Sequence, residues 1–244
     1  MTDLHGAVAV VTGGARRLGA ATALALAGAG CHVVINYRAS GSEAERTAAQ
    51  ARGAGVRALT VQADVSRAAD VARLLERTLA ELGRVDILIA NAGAFRRTPI
   101  DTLSESDWDD MLDNNLRTTF LSAHRFGLQM RAQGGGCIVT LADVAGMRPW
   151  TAYLPYCVAK AGVIALTRGL AKELAPSVRV NAIAPGPVLF PEDVDPDLRQ
   201  RELARTLLQR EGNPRHIADA VLALARNDYL TGVVLPVDGG RVLS

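Results

Sequence analysis

The chain has 244 residues, enough for one α/β domain whose core needs neither disulfides nor a metal. Hydrophobic residues make up 49% and charged residues 21%, which excludes a disordered chain. The net charge of +2 is too balanced for a nucleic-acid-binding or membrane-facing surface, so neither partner is expected. The longest apolar stretch, residues 19–30, is Ala-rich, punctuated by glycine and too short to span a bilayer. Met1-Thr-Asp-Leu-His-Gly shows no leader pattern, and Cys31, Cys137 and Cys157 show no metal-ligand spacing. A cytoplasmic protein with reduced thiols is therefore expected.

Short β-branched runs alternate with amphipathic stretches along the whole chain. Residues 7–12, 31–37, 56–62, 85–90, 137–141, 178–183 and 232–236 read as strands. Helical patterns fall at 18–29, 42–52, 69–82, 107–131, 153–174 and 216–225. Asp86-Ile-Leu-Ile-Ala is apolar on both faces, as a buried parallel strand must be. The alternation predicts a single α/β domain over residues 1–244: a doubly wound (Rossmann) parallel sheet of about seven strands with helices on both faces. Residues 185–210 stand apart. Pro185, Pro187, Pro191 and Pro196, with Glu192, Asp193, Asp195 and Asp197, are expected to break any regular element. Such a stretch inside a compact domain is either padding or a substrate lid.

The first strand is followed by Thr12-Gly13-Gly14-Ala15-Arg16-Arg17-Leu18-Gly19 and then a helix. Glycines there let the backbone approach a pyrophosphate, and the helix N-terminus supplies donors. Dinucleotide sites select their cofactor at the end of the second strand. An acid there would bind a ribose 2′-hydroxyl, but this chain has Asn36-Tyr37-Arg38-Ala39-Ser40. No carboxylate repels a 2′-phosphate, and Arg38, Ser40 and Arg17 can bind one, so NADPH is expected over NADH.

Lysine is scarce: among 27 basic residues only Lys160 and Lys172 are Lys. A Lys that survives this bias toward Arg points to a compact ammonium site that a guanidinium cannot fill. Lys160 lies one helical turn after Tyr156. A phenol with a pKa of about 10 is a poor acid–base group near neutrality. A cation beside it is expected to lower that value and let Tyr156 donate a proton as hydride arrives.

Together, Thr12-Gly13 with Gly19, Asp64-Val65, Asn91-Ala92-Gly93, Asn115, Tyr156-x-x-x-Lys160, Pro185-Gly186 and Asp238-Gly239-Gly240 resemble the short-chain dehydrogenase/reductase family over essentially the whole chain. The resemblance implies a catalytic set of Asp143, Tyr156, Lys160 and Asn115, with Lys160 also holding the nicotinamide ribose and Asn115 anchoring a relay water. It implies cofactor contacts from Gly13, Arg16 to Gly19, Asn36 to Arg38, Ser40, Asp64, Val65, Asn91 to Gly93, Pro185, Gly186 and Val188. It also implies a homotetramer, and a substrate lid is expected at about residues 185–210.

Three departures from the family's common pattern narrow the expectation. Arg17 stands where the middle glycine of the first motif is usual, and Asp143 where the catalytic serine is usual. Ala94-Phe95 follows Asn91-Ala92-Gly93 directly. Together they resemble the pteridine reductase branch, which implies NADPH-dependent reduction of a dihydropterin, with dihydrofolate as a further substrate. Arg17, Phe95, Asp143 and Tyr156 are then the expected substrate contacts, with Phe95 stacking the pterin against the nicotinamide. The alternative is a carbonyl reductase acting on a 3-oxoacyl thioester, a sugar or an alcohol. A non-catalytic NADP(H) sensor is a third reading, disfavoured because a sensor needs no Tyr156–Lys160 pair.

Overall fold

A computed structural model describes residues 2–190 and 194–244. Met1 and, in the proline-rich stretch, Pro191, Glu192 and Asp193 lie outside the described residues. The strands are β1 (Val8–Val11), β2 (His32–Tyr37), β3 (Ala58–Gln62), β4 (Ile87–Ala90), β5 (Gly136–Leu141), β6 (Val178–Pro185) and β7 (Val234–Val237). The helices are α1 (Arg17–Gly28), α2 (Gly41–Arg52), α3 (Ala68–Leu82), α4 (Glu105–Leu112), α5 (Thr118–Ala132), α6 (Leu154–Glu173), α7 (Pro196–Ala204) and α8 (Pro214–Arg226). No helix among the described residues is long and apolar enough to cross a membrane.

All seven strands pair in parallel in the order β3-β2-β1-β4-β5-β6-β7. The chain runs outward from β1 to β3, then restarts at β4 and runs outward the other way. The strand order therefore reverses between β1 and β4, and a crevice must open at their carboxyl ends. Alternation within each strand divides the core. Ala9 and Val11 face one layer with Leu26 of α1, Ile35, Ile89 and Leu224 of α8. Val8 and Val10 face the other with Leu74 of α3, Leu88, Phe126 of α5, Ile138 and Leu170 of α6. Both sheet faces are thus covered, which is why β4 reads as an unbroken apolar run.

Two expected elements differ. The pattern at 107–131 is not one α-helix, because a π-helical turn at Asp113–Arg117 separates α4 from α5. That turn seats Asn115, whose amide Nδ2 donates to the Met111 and Ala94 carbonyls, each at 2.9 Å. The proline-rich stretch also holds a regular element, α7. Asp195 caps it by accepting from the Asp197 N–H, and Pro196 occupies the first turn, where its missing N–H costs nothing. Prolines here start a helix rather than prevent one.

Candidate active site

The end of β1 and the end of β4 are stitched together. Thr12 Oγ1 accepts from the N–H groups of Asn91 and Ala92, each at 3.0 Å. Asn91 Nδ2 returns bonds to the Thr12 and Gly13 carbonyls at 2.9 and 3.1 Å. This brace fixes the glycine turn at the switch point. Gly13 sits at φ +61°, and a Cβ on Gly19 would lie 2.2 Å from the Gly13 carbonyl oxygen. No larger residue fits at Gly19, and the turn leaves a backbone cradle at the start of α1.

Every expected cofactor, catalytic and substrate residue lines one cleft of about 1480 Å³. That exceeds the usual room for a single small ligand. The cradle with Arg16, Leu18 and Gly19 forms one part, and Tyr37, Arg38 and Ser40 at the end of β2 extend it. Asp64 and Val65 after β3, with Gly93 after β4, line it, as do Pro185, Gly186 and the buried Val188 after β6. The residues present fit a dinucleotide: a glycine cradle for a pyrophosphate, guanidinium and hydroxyl groups where a ribose phosphate would sit, and no carboxylate at the end of β2.

Asn36 has a different task from the one its position suggested. It is 1% exposed; its Oδ1 accepts from the Gly13 N–H, and its Nδ2 donates to the Val61 and Ala63 carbonyls. Its amide is committed to holding the turn, so recognition at this corner falls to Tyr37, Arg38 and Ser40. Arg17 adopts φ +53°, a left-handed conformation that costs a non-glycine residue of order 1–3 kcal/mol. Its Nη2 donates to the Leu189 carbonyl at 2.9 Å, from the opposite rim of the cleft.

The chemistry sits at the far end of the cleft. Tyr156 and Lys160 share one face of α6, and Asp143 follows β5. The Tyr156 hydroxyl donates to Asp143 Oδ2 at 2.8 Å, while Asp143 Oδ1 accepts from the Ala145 N–H at 2.8 Å. Lys160 Nζ donates to the Leu141 carbonyl at 2.8 Å and lies 5.7 Å from the Tyr156 ring centre. Burial acts on all three. It raises the Asp143 carboxyl pKa, raises the Tyr156 phenol well above its usual value with help from the Asp143 charge, and lowers Lys160 to about 8. The expectation that Lys160 lowers the Tyr156 pKa is therefore corrected: burial and the carboxylate win, and Tyr156 is held as a phenol.

Asn115 Oδ1 accepts from the Ala94 N–H at 3.3 Å, so the π turn fixes the strand end that carries Phe95. Phe95 is no core residue. It is 53% exposed, stacked on Tyr153 at 4.9 Å and edge-on to Tyr156 at 5.0 Å. Trp150 closes the cluster edge-on to both Phe95 and Tyr153. Tyr153 and Trp150 escaped the sequence reading, although a signal existed. The chain has only two Trp, four Tyr and four Phe, and three of these aromatics fall between residues 150 and 156.

A family model described as Enoyl-(Acyl carrier protein) reductase matches residues 13–241. The chain is 39% identical to a 3-oxoacyl-(acyl-carrier-protein) reductase from Synechocystis sp. over all of both chains. Among solved structures, the NADPH-dependent 3-quinuclidinone reductase from Rhodotorula rubra superposes with a TM-score of 0.93 at 30% identity, over 99% of this chain and 93% of that one. A xylitol dehydrogenase with bound NAD+ superposes with a TM-score of 0.93 at 28% identity, over 98% of this chain and 100% of that one. The chain belongs to the short-chain dehydrogenase/reductase family of nicotinamide-dependent oxidoreductases.

Proposed function

We propose that the protein reduces a dihydropterin with NADPH, Tyr156 donating the proton. The observation that carries the reading is the 2.8 Å bond from the Tyr156 hydroxyl to a carboxylate, Asp143. A ketone becoming an alkoxide needs donors around its oxygen, and a carboxylate at that place raises its energy. A pterin offers ring N–H and amino donors that Asp143 accepts, and a ring nitrogen that must be protonated. NADPH supplies hydride when bound. Tyr156 would give its hydroxyl proton to the ring nitrogen and regain one from water, while Asp143, as acceptor of that hydroxyl, keeps it oriented. Phe95, backed by Tyr153, offers a flat apolar face to the ring. Lys160 Nζ, fixed by the Leu141 carbonyl, would hold the ribose, and Asn115 keeps the segment before Phe95 in position.

The relatives support a second reading, the carbonyl reductase, better than they support the first. The Synechocystis relative, matched end to end, is a 3-oxoacyl reductase, which favours a 3-oxoacyl thioester as substrate. Asp143→Ser separates the two. Under the pterin reading it cuts kcat/KM for a dihydropterin about tenfold or more and leaves ketone reduction equal or faster, measured by NADPH oxidation. Robust carbonyl turnover by the unmodified protein, no pterin activity and no loss on Asp143→Ser would favour the thioester.

Because the family's solved members include proteins that use either cofactor, cofactor choice rests on Arg38 and Ser40. NADPH is expected to bind more tightly than NADH by ~1–3 kcal/mol, the scale of a charge-assisted bond. Arg38→Ala should erase most of that preference in calorimetric titration. Equal affinities in the unmodified protein would contradict it. A homotetramer and a closing role for the 185–210 segment remain part of the proposal, read by sedimentation and by protease protection on cofactor binding.

A further inference from the structure

The mouth of the cleft beyond Phe95 carries charge that the proposed reaction does not use. Arg96 and Arg97 are neighbours with different fates. Arg96 pairs with Asp107 and Asp110 of α4 at 2.8 and 3.4 Å. Arg97 lines the cleft, and among the described residues its side chain makes no ion pair or hydrogen bond. Arg148, just after the short turn that follows Asp143, lines the cleft in the same unpaired state. Two further arginines nearby, Arg205 and Arg241, are already taken, both bound to Glu202 at 2.8 and 3.2 Å.

The two free guanidiniums are anchored at their backbones. Thr98 N–H donates to the Ala152 carbonyl at 2.7 Å, and a parallel bridge joins Thr98 to Tyr153. This ties the Arg97 segment to the aromatic loop. Arg148 N–H donates to the Val144 carbonyl at 2.8 Å, closing the short turn that follows Asp143. Arg97 is close enough to Tyr153 for its charge to oppose the rise that burial imposes on that phenol. Tyr153 is the ring stacked on Phe95. Arg97 therefore stands beside the aromatic pair on which a flat ring would lie, and Arg148 lines the same cleft.

We propose that Arg97 and Arg148 bind an oxyanion, a carboxylate or a phosphate, carried on the tail of the substrate. The arrangement gives the site a preference among substrates that share a reacting ring and differ in their tails. It deepens the proposed function and uses that reading only to place the ring on Phe95. An exposed guanidinium contact is worth up to about fivefold in affinity, and its contribution shrinks as salt screens it.

The test compares KM ratios at low and high salt for paired substrates of the NADPH-saturated enzyme. Dihydrofolate carries tail carboxylates, dihydroneopterin triphosphate carries phosphates, and dihydrobiopterin carries a neutral tail. The charged tails are expected to lower KM relative to dihydrobiopterin. Arg97→Gln and Arg148→Gln should each shrink that ratio about threefold to fivefold, and Arg215→Gln, remote on α8, should not shift it. The arm with the larger ratio identifies carboxylate or phosphate. If no pterin is turned over, the proposed function fails on its own, and the same ratio is read from acetoacetyl-coenzyme A against its neutral N-acetylcysteamine thioester. A ratio near one, or one that the two arginine variants leave where it was, overturns the anion site.

Discussion

Tyr156→Phe is expected to cut turnover by roughly 10²–10⁴, the worth of a positioned general acid, while cofactor affinity stays within a few-fold. The substitution is narrow. The ring keeps its edge-on contact with Phe95 at 5.0 Å and its place beneath Lys160, so the pocket retains its shape. Only the hydroxyl goes, and with it the donor to Asp143 Oδ2. That leaves a buried carboxylate oxygen short of a partner, which costs about 1–3 kcal/mol of stability. Single-turnover NADPH oxidation and calorimetric cofactor binding read the two effects separately. A variant with near-normal turnover would remove Tyr156 from the chemistry.

Lys160→Met is expected to abolish measurable turnover and, unusually for a core change, to raise the thermal midpoint of the cofactor-free protein at pH 7. Burial lowers Lys160 from 10.5 to about 8, so holding it charged in the fold costs about 3 kcal/mol at neutrality. Loss of its bond to the Leu141 carbonyl takes back about 1 kcal/mol. The net gain corresponds to several degrees, at roughly 2–4 °C per kcal/mol for a chain of this size. The sign follows from proton counts. Between pH 8 and 10.5 the folded state binds fewer protons than the unfolded one, so the natural protein gains stability as pH rises through that window. The Met variant lacks that rise. Lys160→Arg is expected to lose turnover as well, because a planar fork cannot replace an ammonium held at one carbonyl. Thermal melts at pH 7 and pH 10 check the stability half. A lower midpoint for Lys160→Met at pH 7 would show that the buried charge carries no such cost.

What local pattern encodes is legible in the amino-acid sequence. The apolar run of β4 marked a strand covered on both faces, and the glycine turn with its following helix marked the cradle at Gly13 and Gly19. Tyr156 and Lys160 could be placed on one helix face from their spacing alone. What depends on packing was not legible. The direction of the Tyr156 shift is set by burial and by Asp143, which folding brings within a hydrogen bond of it. Arg17 gives no local sign of its left-handed backbone, because its contact at Leu189 is remote in sequence. The bonds from the Asn36 amide to Gly13, Val61 and Ala63 appear only in the fold. Four prolines masked α7, although Asp195-Pro196 is itself a helix start. The Phe95–Tyr153 stack joins two loops that no periodicity connects.

The proposal of a pterin substrate rests on Asp143 standing beside Tyr156. It is tested most directly by NADPH oxidation with the unmodified protein, comparing dihydrobiopterin and dihydrofolate with acetoacetyl thioesters and small ketones. kcat/KM for a dihydropterin is expected to exceed that for any carbonyl compound by at least about a hundredfold. Robust thioester or ketone reduction with no pterin turnover would contradict it.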